Sequence, residues 1–177
     1  MDTTKLHKPA QLTALLLSTT LSGASLAIST LLIPRLLESP TDLMLRQWLS
    51  TYTSGRRAIV PLTLVASSAY FYLSFVTPPP IKRVYGLAGA LCFGIVPYTV
   101  LFMRGTNGKI MGRVDEQGVK MVAKGEGEGE GGDVWAKGDG GKPEGSKYLV
   151  DWWATLNFGR GVMLFASSVV GLTAALW

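Results

Sequence analysis

The chain has 177 residues, of which 47% are hydrophobic and 16% are charged, and its formal net charge is +5. This composition is too apolar for an ordinary soluble domain. A cysteine-based redox or zinc site is excluded because Cys92 is the only cysteine. The basic residues flank apolar blocks instead of forming a patch with aromatic residues, so no nucleic acid is expected as a partner.

Four apolar blocks follow one another along the chain, at about 12–33, 58–76, 84–103 and 155–177. About 20 apolar residues in a helix cross the roughly 30 Å of hydrocarbon in a bilayer. The first block is longer than the apolar core of about 7 to 15 residues in a signal peptide, so we interpret it as a retained helix. The sequence therefore predicts one all-α domain over residues 1–177, an integral membrane four-helix bundle.

A segment of different composition, at about 123–147, separates the third and fourth blocks. It is rich in glycine and in alternating charges, and such a segment cannot bury enough apolar surface to become ordered. Its glycines do not follow the spacing of a helix–loop–helix calcium site. We therefore predict a flexible, exposed loop.

The Lys and Arg residues between the blocks predict an orientation. One face of the membrane would hold Lys5, Lys8, Lys82 and Arg83. The other face would hold Arg35, Arg46, Arg56, Arg57, Arg104, Lys109 and Arg113. Because cytosolic loops carry an excess of Lys and Arg, the second face is predicted to be cytosolic and both termini lumenal or extracellular. We expect a multi-pass protein of the endoplasmic reticulum or another endomembrane, with membrane lipid as a partner. Whether the protein forms a homo-oligomer stays open.

Small residues recur at four-residue spacing in three of the blocks, a pattern that lets helix backbones approach closely. They are Thr19, Gly23 and Ala27 in the first block, Gly86, Ala90 and Gly94 in the third, and Ser167, Gly171 and Ala175 in the fourth. These stripes favour a compact bundle over four loosely associated helices.

Polar residues form a stripe at the start of the fourth block. Trp153, Asn157 and Arg160 are separated by four and three residues, so they project from one face of a helix. A guanidinium at that depth snorkels to the interface, pairs with an acid or faces a polar site. No Asp or Glu lies within the four predicted spans. Membrane anchoring and a functional site both remain open for Arg160 at this point.

Two further segments repeat this spacing. Trp48, Tyr52 and Arg56 precede the second span, and Thr99, Met103 and Asn107 end the third. In an antiparallel hairpin of the second and third spans these two segments lie side by side, and the fourth span starts at the same membrane face. Their convergence predicts a site for an amphipathic, aromatic or quinone-like small molecule.

Four runs of the sequence resemble the DUF1772 family, which includes the fungal anthrone oxygenases of polyketide biosynthesis, a branch of secondary metabolism. The runs are SGASLAISTLLIP (Ser22–Pro34), RQWLSTYTSGRRAIVP (Arg46–Pro61), PYTVLFMRGTN (Pro97–Asn107) and WATLNFGR (Trp153–Arg160). The resemblance covers the four spans in order and leaves out the glycine-rich segment.

The resemblance implies a membrane-bound oxidoreductase, a monooxygenase that converts an anthrone to an anthraquinone with O2 and without flavin, haem or metal. On this hypothesis Arg160 stabilises the substrate anion, and Asn157 and Asn107 hydrogen-bond the substrate oxygens or orient the arginine. Trp153 or Tyr52 would stack on the planar rings. The remaining candidate substrate-binding residues are Arg56, Tyr98, Thr99 and Met103.

The proton acceptor stays open among Tyr98, Tyr52, His7 and a water polarised by the arginines. His7 is the only histidine, so a two-histidine haem or iron site cannot be assembled from one chain. The alternative to an enzyme is a non-enzymatic membrane scaffold or accessory subunit of a biosynthetic complex. A transporter of this size would need oligomerisation, since the sequence shows no internal repeat.

Overall fold

The computed structural model describes residues 3–124 and 145–177, with side chains from 6 to 116 and from 145 onwards. Its six α-helices are α1 (Thr3–Ala27), α2 (Ile33–Leu37), α3 (Thr41–Val76), α4 (Ile81–Tyr98), α5 (Arg104–Lys124) and α6 (Ser146–Leu176). A π-helical turn, Ile28–Leu32, joins α1 to α2, and a second one, Thr99–Met103, joins α4 to α5. The predicted loop at about 123–147 lies largely outside the described residues and stays a prediction.

Four continuous helical segments are long and apolar enough to cross a membrane. We call them span 1 (Leu6–Leu37), span 2 (Thr41–Val76), span 3 (Ile81–Glu116) and span 4 (Ser146–Leu176). No strand occurs in the described ranges. The predicted all-α, integral membrane four-helix bundle is therefore confirmed.

The helices are longer than the apolar blocks that predicted them. Spans of 31 to 36 residues measure about 46 to 54 Å at 1.5 Å per residue, more than the roughly 30 Å of hydrocarbon. Span 2 begins at Thr41, well before the predicted start at Ala58, and span 3 continues through Arg104. The bundle therefore projects beyond the hydrocarbon where spans 1 and 3 end and spans 2 and 4 begin.

Prolines mark the irregular positions of the helices. Pro34 follows the first π-helical turn, and Pro97 precedes the second. Proline has no N–H to donate to the carbonyl four residues earlier, and a π-helical turn accommodates such an interruption. The chain stays helical through Pro34 as far as Leu37, whereas the run of prolines that ends at Pro80 separates α3 from α4.

The four spans form a ring in which each packs mainly against two neighbours. Span 1 packs against spans 2 and 4, and span 3 packs against the same two. Antiparallel neighbours of this kind are typical of an up-down four-helix bundle. The ring brings the end of span 1, the start of span 2, the end of span 3 and the start of span 4 to one end of the molecule.

The apolar core has two parts. The first fills the bundle near the chain termini and is centred on buried residues such as Tyr70, Tyr85 and Leu164. The second, here called the upper core, lies at the end where the helices project. It consists of Ile33, Leu36, Met44, Leu45, Trp48, Met103, Ile110, Leu149, Val150, Trp153 and Ala154.

Glycines allow close helix contacts, but not at every predicted position. A Cβ at Gly171 would meet the Tyr70 ring at 2.5 Å, so the predicted stripe in span 4 lies at a true contact. The stripe predicted in span 1 is wrong, because Thr19, Gly23 and Ala27 are exposed. The buried face of span 1 instead carries four serines: Ser18, Ser22, Ser25 and Ser29.

Candidate functional site

Three aromatic side chains form the centre of the candidate site. The rings of Trp48 and Tyr52 are stacked, with centroids 5.1 Å apart and planes inclined by 7°. Trp153 contacts Trp48 edge to face, with centroids 5.8 Å apart at 84°. This aromatic cluster (Trp48, Tyr52 and Trp153) joins span 2 to span 4 inside the upper core. The four-residue spacing of Trp48 and Tyr52 was visible in the sequence, and the structure brings Trp153 of span 4 against them.

Asn107 holds the aromatic cluster from span 3. The indole Nε1 of Trp153 donates a hydrogen bond of 2.9 Å to Asn107 Oδ1, and both side chains are buried. A buried indole N–H needs an acceptor, which the asparagine amide supplies. The bond fixes the plane of the Trp153 ring and ties span 3 to span 4.

Arg160 lies about two helical turns after Trp153 on span 4, beside the aromatic cluster. Its Nη1 is 4.0 Å from the Met103 sulfur. The hydroxyls of Tyr52 and Tyr98 are close enough to the guanidinium to interact with it electrostatically. Within the part of the chain that the structure describes, no carboxylate pairs with Arg160. The guanidinium is therefore a partly buried cation among aromatic rings and a thioether.

Asn157 faces span 1 rather than the aromatic cluster. Its Nδ2 donates to the Ser25 carbonyl oxygen at 2.9 Å and to the Ser29 hydroxyl at 2.9 Å. Ser29 belongs to the first π-helical turn, and π-helical turns are frequent next to functional sites. The amide therefore ties span 1 to span 4 three residues before Arg160.

Tyr98 approaches span 4 from span 3. Its hydroxyl donates to the Leu156 carbonyl at 3.1 Å, and its ring packs against Phe102 with centroids 5.0 Å apart. Gly159 makes room for this contact, because a Cβ there would lie 2.6 Å from the Tyr98 oxygen. Tyr98 thus bonds the backbone one turn before Arg160.

Three of the predicted residues lie apart from this arrangement. Thr99 donates its hydroxyl to the Ile95 carbonyl of its own helix at 2.7 Å. Arg56 is exposed, so the predicted convergence does not bring it into the buried cluster. His7 contacts Thr77 at the far end of α3, about 37 Å along that helix from Tyr52 at 1.5 Å per residue. This distance removes His7 from the possible proton acceptors.

The prediction of the site missed Ser25, Ser29 and Gly159, and it noted Trp48 only for its helical spacing with Tyr52, without a role in the site. Trp48, Ser25, Ser29 and Gly159 all contact predicted residues. The signal for the two serines was present, since Ser18, Ser22, Ser25 and Ser29 follow the alternating four- and three-residue spacing of one buried helix face. Gly159 carries no such signal, because its role depends on a tyrosine in another helix.

Residues able to hold a metal ion do not gather here. Across residues 3–124 and 145–177, no three His, Cys, Asp or Glu side chains are grouped. Cys92 is buried in the other half of the bundle, with its sulfur 3.8 Å from the Thr63 carbonyl. The chemistry that the site itself offers is a guanidinium charge, phenol and indole groups, and flat aromatic surfaces.

Fold and site together define a four-helix membrane protein with an arginine beside a buried aromatic cluster. The chain belongs to the anthrone oxygenase family, whose model matches residues 48–170. This range contains the aromatic cluster, Asn107, Tyr98 and Arg160. The chain is therefore a member of an enzyme family.

Named relatives extend the likeness beyond that range. The chain is 31% identical to "Anthrone oxygenase encC" of Aspergillus fumigatus, over 89% of this chain and 87% of the relative. It is 27% identical to "Anthrone oxygenase AgnL2" of Paecilomyces divaricatus, over 95% and 96% of the two chains. An anthrone oxygenase of Emericella nidulans is 32% identical over 56% of this chain and 54% of its own. No solved structure matches the chain.

Proposed function

We propose that this protein is a membrane-bound, cofactor-independent oxygenase that converts a polyketide anthrone to an anthraquinone with O2. The observation that carries the proposal is the Arg160 guanidinium, which lies among Tyr52, Tyr98 and Met103 without a carboxylate partner in the described chain. A partly buried cation without a counter-ion is costly, and a substrate anion supplies the missing charge. The family membership of the chain points to the same class of substrate.

The proposed reaction needs little from the protein beyond anion stabilisation. Loss of a proton from the methylene carbon of an anthrone gives a delocalised enolate, which passes one electron to O2. The resulting radical and superoxide combine into a peroxide at that carbon, and loss of water leaves the second carbonyl of the quinone. One anthrone and one O2 thus give one anthraquinone and one water.

The site residues take distinct roles in this scheme. Arg160 binds the enolate oxygen, where its charge is worth more than in water. The aromatic cluster offers ring faces to a planar substrate. Asn107 and Asn157 act as positioning residues, because Asn107 Oδ1 and Asn157 Nδ2 already bond Trp153 and span 1. The sequence analysis offered two roles for these asparagines, bonding the substrate oxygens or orienting the arginine. The proposal gives them a positioning role instead of direct bonds to the substrate.

Tyr52 is our proposed proton acceptor, acting directly or through a water. The Tyr98 hydroxyl is occupied, because it donates to the Leu156 carbonyl. The Tyr52 hydroxyl, by contrast, lies near Arg160 while its ring is stacked on Trp48. In this step the Tyr52 oxygen, acting as a phenolate, accepts the methylene proton of the neutral anthrone, and that proton returns to the peroxide before water is lost.

The location of the site suits an amphipathic substrate. Apolar side chains exposed on the outside of the bundle include Phe102 and Phe158, close to Met103 and Arg160 in sequence. The exposed residues Arg56, Arg57 and Arg104 follow at the same end. We place the site at the cytosolic boundary of the endoplasmic reticulum or another endomembrane, with membrane lipid around the bundle. The site is assembled from one chain, so the proposal does not require a homo-oligomer.

Purified protein in mild detergent tests the proposal against the alternative of a non-enzymatic scaffold or accessory subunit. A hydroxylated anthrone is supplied with O2, and quinone absorbance and O2 uptake are followed together. We expect one O2 consumed per quinone formed, faster than the spontaneous oxidation and insensitive to a metal chelator. Oxidation at the spontaneous rate would support the scaffold, and loss of activity with the chelator would contradict cofactor independence.

A further inference from the structure

Two N–H groups beside the aromatic cluster lack an acceptor. They are the indole Nε1 of Trp48 and the Nε of Arg160, which are buried without a hydrogen-bond partner among the described residues. Trp48 is 0% exposed. A buried donor without an acceptor loses its hydrogen bonds to water without replacement, so such groups are few in native proteins and each calls for an explanation.

The neighbouring indole shows that the fold is able to satisfy a tryptophan here. Trp153 contacts Trp48 edge to face, and its N–H is paired with Asn107 at 2.9 Å. Two tryptophans of one cluster thus differ: the protein itself supplies an acceptor for one indole and not for the other. Phenylalanine would provide a stacking ring at position 48 without an unsatisfied donor.

Tyr52 connects the two unpaired donors. Its ring is stacked on Trp48 with an inclination of 7°, and its hydroxyl interacts electrostatically with Arg160. Met103 joins them as well, because it contacts Arg160 and belongs to the upper core with Trp48. The two donors therefore belong to one group of neighbouring side chains in and beside the upper core.

We propose that Trp48 is a substrate-binding residue. Arg160 binds the anionic oxygen of the ligand, and the indole N–H of Trp48 donates a hydrogen bond to a second oxygen of the same ligand. The inference deepens the proposed function and rests on it. It defines the ligand class more narrowly, as a planar aromatic compound with oxygen acceptors at two separate positions, such as a hydroxylated anthrone. A planar hydrocarbon of the same size would gain nothing from Trp48 beyond ring contact.

Trp48→Phe tests the proposal, with Trp152→Phe as the matched control because Trp152 is 46% exposed. Binding of a dihydroxyanthraquinone and of anthracene is measured by fluorescence quenching in detergent, beside thermal unfolding. We expect Trp48→Phe to weaken quinone binding about threefold to tenfold more than anthracene binding, the worth of one hydrogen bond. Trp152→Phe should leave both affinities unchanged.

A second variant removes the donor without changing the packing. Trp48→benzothienylalanine keeps both rings and replaces the N–H with sulfur, so it should show the same selective loss of quinone affinity with wild-type thermal stability. Equal loss for quinone and anthracene would reduce Trp48 to a stacking surface, and unchanged quinone affinity in this variant would overturn the proposal. Turnover by wild-type protein is read separately, so failure of the oxygenase function and failure of the Trp48 role are distinguishable.

Discussion

The side-chain amide of Asn157 in span 4 donates to the hydroxyl of Ser29 in span 1 at a distance of 2.9 Å. The acceptor lies in a π-helical turn, and the same amide nitrogen also bonds the Ser25 carbonyl. Two irregular features, a widened helical turn and a buried amide, therefore meet three residues before Arg160. The position of the guanidinium depends on a contact between the first and last spans of the bundle.

Replacing Asn157 should weaken the fold and the site together. Asn157→Ala removes both hydrogen bonds and leaves the Ser29 hydroxyl without its partner. We expect a loss of about 1 to 3 kcal/mol in the free energy of unfolding, since hydrogen bonds between membrane helices are individually modest. Thermal unfolding in detergent measures it, and Thr173→Ala, an exposed hydroxyl bonded within its own helix, is the control. Equal stability of the two variants would contradict this account.

Gly159 is predicted to be required for the contact of Tyr98 with span 4. In Gly159→Ala the new Cβ would lie 2.6 Å from the Tyr98 oxygen but 3.3 Å from its Cζ. Such overpacking costs about 1 to 3 kcal/mol. Removing the hydroxyl relieves the closest contact, so Gly159→Ala with Tyr98→Phe should be more stable than Gly159→Ala alone. Thermal unfolding of the four proteins of this double-mutant cycle measures the coupling, and simple additivity would refute it.

Gly23 is the matched glycine without a contact. It is exposed in span 1, and a Cβ there would meet nothing within 4 Å. Gly23→Ala should therefore be neutral or raise the free energy of unfolding by up to about 1 kcal/mol, because alanine favours the helix. A large loss of stability in this variant, again read from thermal unfolding, would indicate a contact at span 1 that the described residues do not show.

The fold was predictable because bilayer thickness and apolar block length are directly linked. Four apolar blocks predict four spans, and the predicted bundle is the one observed. The helix ends were harder to predict, because hydropathy records where lipid contact ends and not where the helix ends. Span 2 begins at Thr41, 17 residues before its predicted start at Ala58.

The site was predictable in part, for a different physical reason. Four-residue spacing in one helix indicated that Trp48 and Tyr52 share a face, and these rings are stacked. Spacing within a helix does not indicate which neighbour that face meets. Asn157 therefore bonds span 1 and Arg56 is exposed, although both belong to predicted polar stripes. Relations between helices depend on the rotation of each helix, which a single sequence leaves undetermined.

Tyr52 should be required for proton removal, whereas His7 should not. Tyr52→Phe keeps the ring that stacks on Trp48 and removes only the hydroxyl near Arg160. If that hydroxyl takes the proton, turnover of an anthrone falls roughly a hundredfold, a usual contribution of general base catalysis. His7→Ala, at the far end of α3 beside Thr77, should retain wild-type turnover. Near-native turnover by Tyr52→Phe would contradict Tyr52 as the proton acceptor and would favour a bound water in that role.

Arg160 is the residue on which the proposed function depends most. Its guanidinium has a thioether 4.0 Å away and two tyrosines nearby, an environment that leaves its N–H groups available to an anion. Arg160→Lys keeps the charge and loses the planar array of donors, and Arg160→Gln loses both. Arg56→Gln is the matched control, since Arg56 is an exposed arginine at the same end of the bundle.

If Arg160 stabilises the enolate, both of its variants should lose about 3 to 4 kcal/mol of transition-state stabilisation, roughly a hundred- to a thousandfold in rate. A membrane anchor would behave differently, because a lysine snorkels to the interface as an arginine does, and Arg160→Lys would then be nearly silent. We expect Arg160→Lys to unfold within a few degrees of wild type while losing anthrone oxidation, and Arg56→Gln to retain it. Thermal unfolding and turnover must be read on the same preparation, because a general loss of fold would imitate a loss of chemistry. Full turnover by Arg160→Lys would assign the arginine to anchoring and leave the aromatic cluster without its anion-binding partner.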